Sequence, residues 1–150
     1  MGGNALLLLN IPPDTDGRIN AADISRLEEL GQRIKTAFGS NLLEGALSCH
    51  GTNVLIDDES FWQGSSEQDS IEIRLPKPKE ISYVVLCEQI RQSQRIESFT
   101  VLADEARVYE GTTVGFKKIC QLEETITVHK LHIVINQSRI APTLRFVSAF

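Results

Sequence analysis

The feature that most constrains the fold is a change in the spacing of apolar residues along the chain. Between Asn20 and Phe38 they recur at steps of three and four, as on one face of a helix. From about Ile71 they recur at every second position, and no helical pattern follows Phe38. The alternating stretches include 71–75, 99–103 and 131–135. The sequence therefore predicts a mainly β protein, an antiparallel β-sandwich preceded by a short strand and one amphipathic helix.

The helix has recognisable ends. Asn20 is a favourable N-cap, and Gly39 stands where a C-terminal cap is expected. One face of the helix carries the apolar residues Leu27, Leu30 and Ile34. We predict a helix over 20–38 with a single apolar stripe.

A short apolar segment precedes the helix. Ala5 to Leu9 is a run of five apolar residues, typical of a strand buried on both faces of a parallel sheet. A loop rich in proline and aspartate connects it to the helix. Because a parallel strand needs neighbours, the sequence predicts that the partners of this strand (5–11) lie outside the chain. We place the boundary near residue 40, with a β/α remnant over 1–40 and the sandwich over 41–150.

Composition and charge exclude several classes of partner. The net charge is −5 and the basic residues are scattered, which is unlike a nucleic-acid-binding protein. No stretch approaches the ~18 apolar residues of a membrane span. Cys49, Cys87 and Cys120 are far apart, which argues against a disulfide framework or a zinc site. We expect neither a nucleic acid nor a membrane as partner.

The N-terminal part carries a long motif. Residues 2–19 read GGNALLLLNIPPDTDGRI, and RLEELG follows at 26–31. This closely resembles the last strand, acidic turn and last helix of the catalytic (β/α)₈ barrel in α-L-fucosidases of glycoside hydrolase family twenty-nine. The matching positions are Gly3, Asn4, Leu7 to Asn10, Pro13, Asp16 to Ile19, Arg26, Leu27 and Gly31. Pro12 departs from the family pattern, where glycine is common.

The remaining residues carry weaker motifs in a consistent order. VLIDDESFWQG at 54–64 resembles a segment of discoidin-type, galactose-binding-like sandwiches, with matches at Leu55, Asp57 and Trp62. Later stretches resemble the strands of that jelly-roll fold. The resemblance implies that Trp62 fills the core rather than serving as a platform for a sugar. Fucosidases of this family often carry such a domain behind the barrel.

Together the two resemblances imply a function. They point to the non-catalytic C-terminal accessory region of a retaining α-L-fucosidase, which removes terminal α-L-fucose from glycans. The implied partners are the catalytic barrel and, through the whole protein, fucosylated glycans. The whole protein is expected to be secreted or periplasmic, or lysosomal in a eukaryote. The alternative is an autonomous carbohydrate-binding module.

The chain alone is not expected to be an enzyme. In the resembled family the nucleophilic aspartate lies on an earlier barrel strand, before Met1. Retaining hydrolysis needs a second carboxyl group ~5 Å from the nucleophile. Asp14 and Asp16 are the paired carboxylates near the barrel remnant, and they lie in a Pro/Gly turn. We interpret them as turn-forming residues.

Two loops offer donors for a carbohydrate. Arg91 and Arg95 lie in QIRQSQR, and His50 and Asn53 lie in SCHGTN. These four are the candidate sugar-binding residues. The alternative is that Arg95 braces the sandwich while the others face solvent.

Metal sites have weaker support. Asp57 and Asp58 are candidate ligands of a structural calcium ion, and the alternative is a solvated acidic loop. His129 and His132 are three apart on a predicted strand, which places them on opposite faces. We therefore predict no metal at the histidines and no other cofactor.

Overall fold

The computed structural model describes residues 7–48 and 54–150. The predictions that involve Gly3, Asn4, Ala5 and Leu6 lie outside the described residues. So do those that involve Cys49, His50 and Asn53.

Helix α1 spans Ala21–Phe38, as predicted. The side chain of Asn20 caps it by accepting a hydrogen bond from the Ala22 N–H at 2.8 Å. Gly39 follows the last turn but has a right-handed conformation. A Cβ at this position would lie 2.4 Å from the Lys35 carbonyl oxygen. Close approach to the preceding turn, rather than a left-handed cap, therefore explains this glycine.

The described part of the predicted N-terminal strand forms no strand. Leu7 to Leu9 are all exposed, Leu8 to 87%. A parallel strand exists only through hydrogen bonds to neighbours, and the described residues place no strand beside these leucines. The prediction of a strand is therefore wrong for Leu7 to Leu9 in this structure.

The sandwich consists of eight antiparallel strands in the described part of the chain. They are β1 (Leu47–Ser48), β2 (Trp62–Gln63), β3 (Asp69–Cys87), β4 (Ile96–Ala103), β5 (Ala106–Gly111), β6 (Lys118–Ser138), β7 (Thr143–Leu144) and β8 (Phe146–Ala149). The main sheet has the order β1-β3-β6-β4-β5, and β8 also pairs with β3. A small second sheet joins β2 to β7.

Two long strands connect the layers of the sandwich. Pairing between β3 and β6 is interrupted after Arg74 and resumes at Lys79. Pro76 and Pro78 lie in this gap, where they cannot donate to a strand ladder. These prolines do not end β3, which continues to Cys87 after a shift in register. The first half of the β3–β6 pair continues into β4 and β5, and the second half pairs with β8.

The apolar positions of the alternating stretches form the buried core. Fully buried apolar side chains come from the first layer at Ile71, Ile73, Phe99, Val101, Leu131 and Ile133, and from the second layer at Ile81, Val84 and Leu86. Cys87 and Cys120 are buried among them, and burial raises the pKa of the Cys120 thiol to about 12. The predicted fold class, a mainly β antiparallel sandwich with one N-terminal helix, is confirmed.

The helix is less buried than the segment that follows it. No residue of α1 is buried. Residues 41–43 are attached to β8, through the bond from Leu42 N–H to the Ala149 carbonyl at 2.9 Å. The division into domains at residue 40 stays a prediction.

None of the described helices is long and apolar enough to cross a membrane.

We expect amide hydrogen exchange to separate the two parts. Amides of α1 should exchange fast, because no residue of the helix is buried. Amides in 71–75, 81–88 and 131–135 should be strongly protected, because they lie in the central strands. Mass-spectrometric exchange on the monomer would measure this. Equal protection in both regions would show that α1 is as stable as the central strands.

Candidate functional site

Asp14 organises the turn before α1. Its Oδ1 accepts hydrogen bonds from the backbone N–H groups of Asp16 at 2.9 Å and Arg18 at 2.8 Å. Pro13 and Ile19 form a β-bridge across the same turn, and Gly17 has a φ of +76°. The Asp14 carboxylate is therefore occupied by the turn, as expected for a turn-forming residue.

The two candidate arginines are already engaged within the protein. Arg95 donates to the Ala141 carbonyl at 2.7 Å and to the Gln92 carbonyl at 3.3 Å. This geometry matches a residue that braces two loops. Arg91 is exposed and forms an ion pair with Glu59 at 2.6 Å. The two guanidinium groups thus have different partners within the protein, and their role in sugar binding stays a prediction.

The two candidate calcium ligands have separate partners. Asp57 forms a close ion pair with Arg145. Asp58 accepts hydrogen bonds from the Ser60 hydroxyl at 2.5 Å and the Ser60 N–H at 2.8 Å. The hydroxyl bond, followed by the backbone bond, holds the pKa of Asp58 below its usual value. Over 7–48 and 54–150, no three His, Cys, Asp or Glu residues cluster as a metal site.

The two histidines, His129 and His132, have different neighbours. The His129 ring lies 3.2 Å from Oδ2 of Asp104, and Oδ1 of the same carboxylate accepts the Lys130 N–H at 2.9 Å. In the strand register, His132 lies opposite Glu72 of β3 on one side and Leu102 of β4 on the other. Asp104 thus fixes the tight β4–β5 turn against β6 rather than completing a ligand set.

A buried carboxylate that the sequence analysis missed lies at the loop end of the sandwich. Glu88, only 1% exposed, directly follows β3. Its Oε1 accepts the N–H groups of Arg95 at 2.8 Å and Ile96 at 3.0 Å. Its Oε2 accepts the Gly115 N–H at 2.5 Å. Glu88 therefore joins the 88–95 loop to the 112–117 loop. The sequence did contain a signal for this site, because a charged residue directly follows the apolar run YVVLC.

Trp62 is in the core, as predicted. It is 4% exposed and pairs with Leu144 across the β2–β7 sheet. Its rings are therefore not available as a platform for a sugar.

The C-terminal turn of α1 contacts the sandwich through aromatic rings. The Phe38 ring lies 5.0 Å from Tyr83 and 5.3 Å from Phe150, between centroids. Beside this cluster a cleft of about 590 Å³ separates the helix from the sheet. We call it the helix–sheet cleft; it is lined by Glu29, Gln32, Arg33, Thr36, Ala37, Ser82, Tyr83 and Phe150.

Six large apolar side chains between residues 7 and 30 are exposed. They are Leu7, Leu8, Leu9, Ile19, Ile24 and Leu30, which we call the N-terminal apolar surface. A hollow of about 220 Å³ between the 9–12 segment and α1 adjoins it. The surface has no partner within the described residues that would bury it.

Known proteins resemble the chain over nearly its whole length, although no family model matches it. "Alpha-L-fucosidase 1" of Arabidopsis thaliana is 29% identical over 171 aligned positions, which cover 100% of this chain and 34% of the plant protein. A second plant protein, from Oryza sativa subsp. japonica, is 30% identical and is covered to 33%. The chain thus spans about a third of the curated relatives it matches.

Solved structures agree with this. A Ruminococcus gnavus fucosidase of glycoside hydrolase family twenty-nine, in complex with fucose, matches with a TM-score of 0.84 and 28% identity. That match covers 99% of this chain and 34% of the fucosidase. The family 32 carbohydrate-binding module of Streptococcus pneumoniae EndoD has the same sandwich fold, with a TM-score of 0.59 and 14% identity over 74% of this chain and 99% of the module. The chain is therefore homologous to a region that makes up about one third of α-L-fucosidases of glycoside hydrolase family twenty-nine.

Proposed function

We propose that this chain acts as the accessory region of a retaining α-L-fucosidase and holds the catalytic barrel through its N-terminal apolar surface. The observation that carries the proposal is that this surface is exposed exactly where the sequence resembles the last barrel strand and helix. The homology over the whole chain supports the same assignment. The sandwich then braces the barrel, and fucosylated glycans are the substrates of the whole protein, which acts outside the cytoplasm or in lysosomes.

The energetics favour a buried N-terminal apolar surface. Burying one leucine or isoleucine side chain contributes ~1.5–3 kcal/mol. Leu7, Leu8, Leu9, Ile24 and Leu30 all remain exposed in this chain. Docking onto a barrel would recover this free energy and give the 7–9 segment strands with which to pair.

The coding frame upstream of Met1 gives the first test. We expect it to encode the rest of a barrel, and the protein expressed with that region should hydrolyse fucosides. Leu30→Glu should then lower its activity and thermal stability, because a charge would enter the docked surface. Leu47→Glu is the matched control, since Leu47 is 73% exposed in an edge strand of the sandwich. Equal effects of the two substitutions would contradict docking through α1.

The chain by itself should not hydrolyse nitrophenyl α-L-fucoside. Retaining hydrolysis requires two carboxyl groups ~5 Å apart across the scissile bond. Of the candidates, Asp14 is engaged in its own turn and Asp16 is exposed beside it. A colorimetric assay on purified chain measures this. Turnover that survives further purification and disappears in Asp14→Asn or Asp16→Asn would show the assignment to be wrong.

An autonomous carbohydrate-binding module is the second candidate. The fold shared with the EndoD module favours it. Its predicted ligands are Arg91, Arg95, His50 and Asn53. The internal bonds of Arg95 and the ion pair of Arg91 weigh against it. Micromolar binding on a glycan array, lost in Arg91→Ala, would favour this candidate over the barrel-docking role.

A further inference from the structure

We propose that the helix–sheet cleft binds a neutral pyranose residue of a glycan, at a place distinct from the loops that carry Arg91 and Arg95. The inference rests on the proposed role in a carbohydrate-active protein, and it names a ligand and a site for it. One wall is α1 and the other is the second layer of the sandwich.

The sheet wall supplies an apolar, aromatic surface. Tyr83 and Phe150 line the cleft and are both half-buried, so each ring is partly covered by Phe38 and partly open. Their backbones are fixed to each other, because the Tyr83 N–H donates to the Phe150 carbonyl at 2.8 Å and the Phe150 N–H donates back at 2.9 Å. Both rings also pack against Phe38, which holds them in place without a ligand. An aromatic surface of this kind suits the C–H face of a pyranose.

The helix wall supplies polar groups in a regular array. Glu29, Gln32, Arg33 and Thr36 lie at steps of three and four, so they project from one face. The Glu29 carboxylate is oriented by Arg33 at 2.7 Å on one oxygen and by Arg26 at 2.8 Å on the other. On the sheet wall the Ser82 hydroxyl lies in a hydrogen bond of 2.7 Å with Thr125.

This combination selects a neutral polyhydroxyl ligand. A sugar hydroxyl both donates and accepts, and the cleft offers a carboxylate acceptor, guanidinium donors, an amide and hydroxyl groups. Among the side chains that line the cleft, the charged ones are one carboxylate, on Glu29, and one guanidinium, on Arg33, so the lining side chains have no net charge. A few polar groups around an apolar floor are typical of a small-molecule site.

The test is an NMR titration of the full chain with fucosyllactose. We expect shift changes at the amides of residues 29–37 and 82–83, with a Kd on the order of 1 mM because the cleft is open and shallow. Arg33→Ala should weaken binding at least about tenfold, since a charge-assisted hydrogen bond is lost. Arg107→Ala is the matched control, because Arg107 forms a comparable exposed ion pair, with Glu110, but does not line the cleft. It should change the Kd by less than about twofold.

Several results would overturn the inference. Shift changes confined to 89–95 would place the sugar on the loops. Equal weakening by Arg33→Ala and Arg107→Ala would indicate an indirect effect, and tighter binding of sialyllactose would contradict a neutral ligand. The absence of any shift change at saturating fucosyllactose would refute the cleft site but leave barrel docking intact, because that role is tested separately by Leu30→Glu.

Discussion

Glu88→Ala is expected to lower the free energy of unfolding by at least about 3 kcal/mol, because each buried donor left without an acceptor costs ~1–3 kcal/mol. The carboxylate accepts three backbone N–H groups, from Arg95, Ile96 and Gly115. Alanine removes both oxygens at a position too enclosed for water to replace them freely. Urea unfolding followed by circular dichroism would measure the loss.

Two further variants make the Glu88 prediction specific. Glu88→Gln should be less damaging than alanine, because its amide oxygen still accepts the bonds now made by Oε1. Glu59→Ala should change stability by less than ~1 kcal/mol, because the side chain of Glu59 is 79% exposed and its ion pair with Arg91 is solvated. A loss for Glu59→Ala as large as that for Glu88→Ala would argue against the network described for Glu88.

Trp62→Ala is expected to cost ~3–5 kcal/mol, as large aromatic truncations in a core do. Trp62 belongs to the buried cluster and lies opposite Leu144. The same unfolding experiment would measure this, and Trp62→Phe should lose less because it leaves a smaller cavity.

Fluorescence gives an independent check on Trp62, since it is the sole tryptophan of the chain. The native emission should be blue-shifted and resistant to iodide, and it should shift to the red on unfolding. A red-shifted native emission that iodide readily quenches would show that Trp62 is on the surface.

Much of the architecture could be predicted from local patterns. Alternation predicted the buried faces at Ile71, Phe99 and Leu131, because successive side chains of a strand point to opposite faces. Asn20 and the three- and four-residue spacing predicted α1, because capping and amphipathicity are local properties. The resemblance of 54–64 to a known sandwich segment predicted the burial of Trp62.

Other features depend on contacts between distant residues, which no local pattern specifies. Local patterns predicted α1, the alternating stretches of the sandwich and the turn at Asp14, but they wrongly predicted a strand at Leu7 to Leu9. The tertiary fold carries β3 through the proline segment into a second layer, because strand pairing on both sides outweighs the two missing N–H donors. It likewise brought Glu88 within reach of Gly115 and turned Arg95 towards Ala141, and it opened the cleft between α1 and Tyr83. Each of these depends on how the folded layers meet, since the partners lie far apart along the chain.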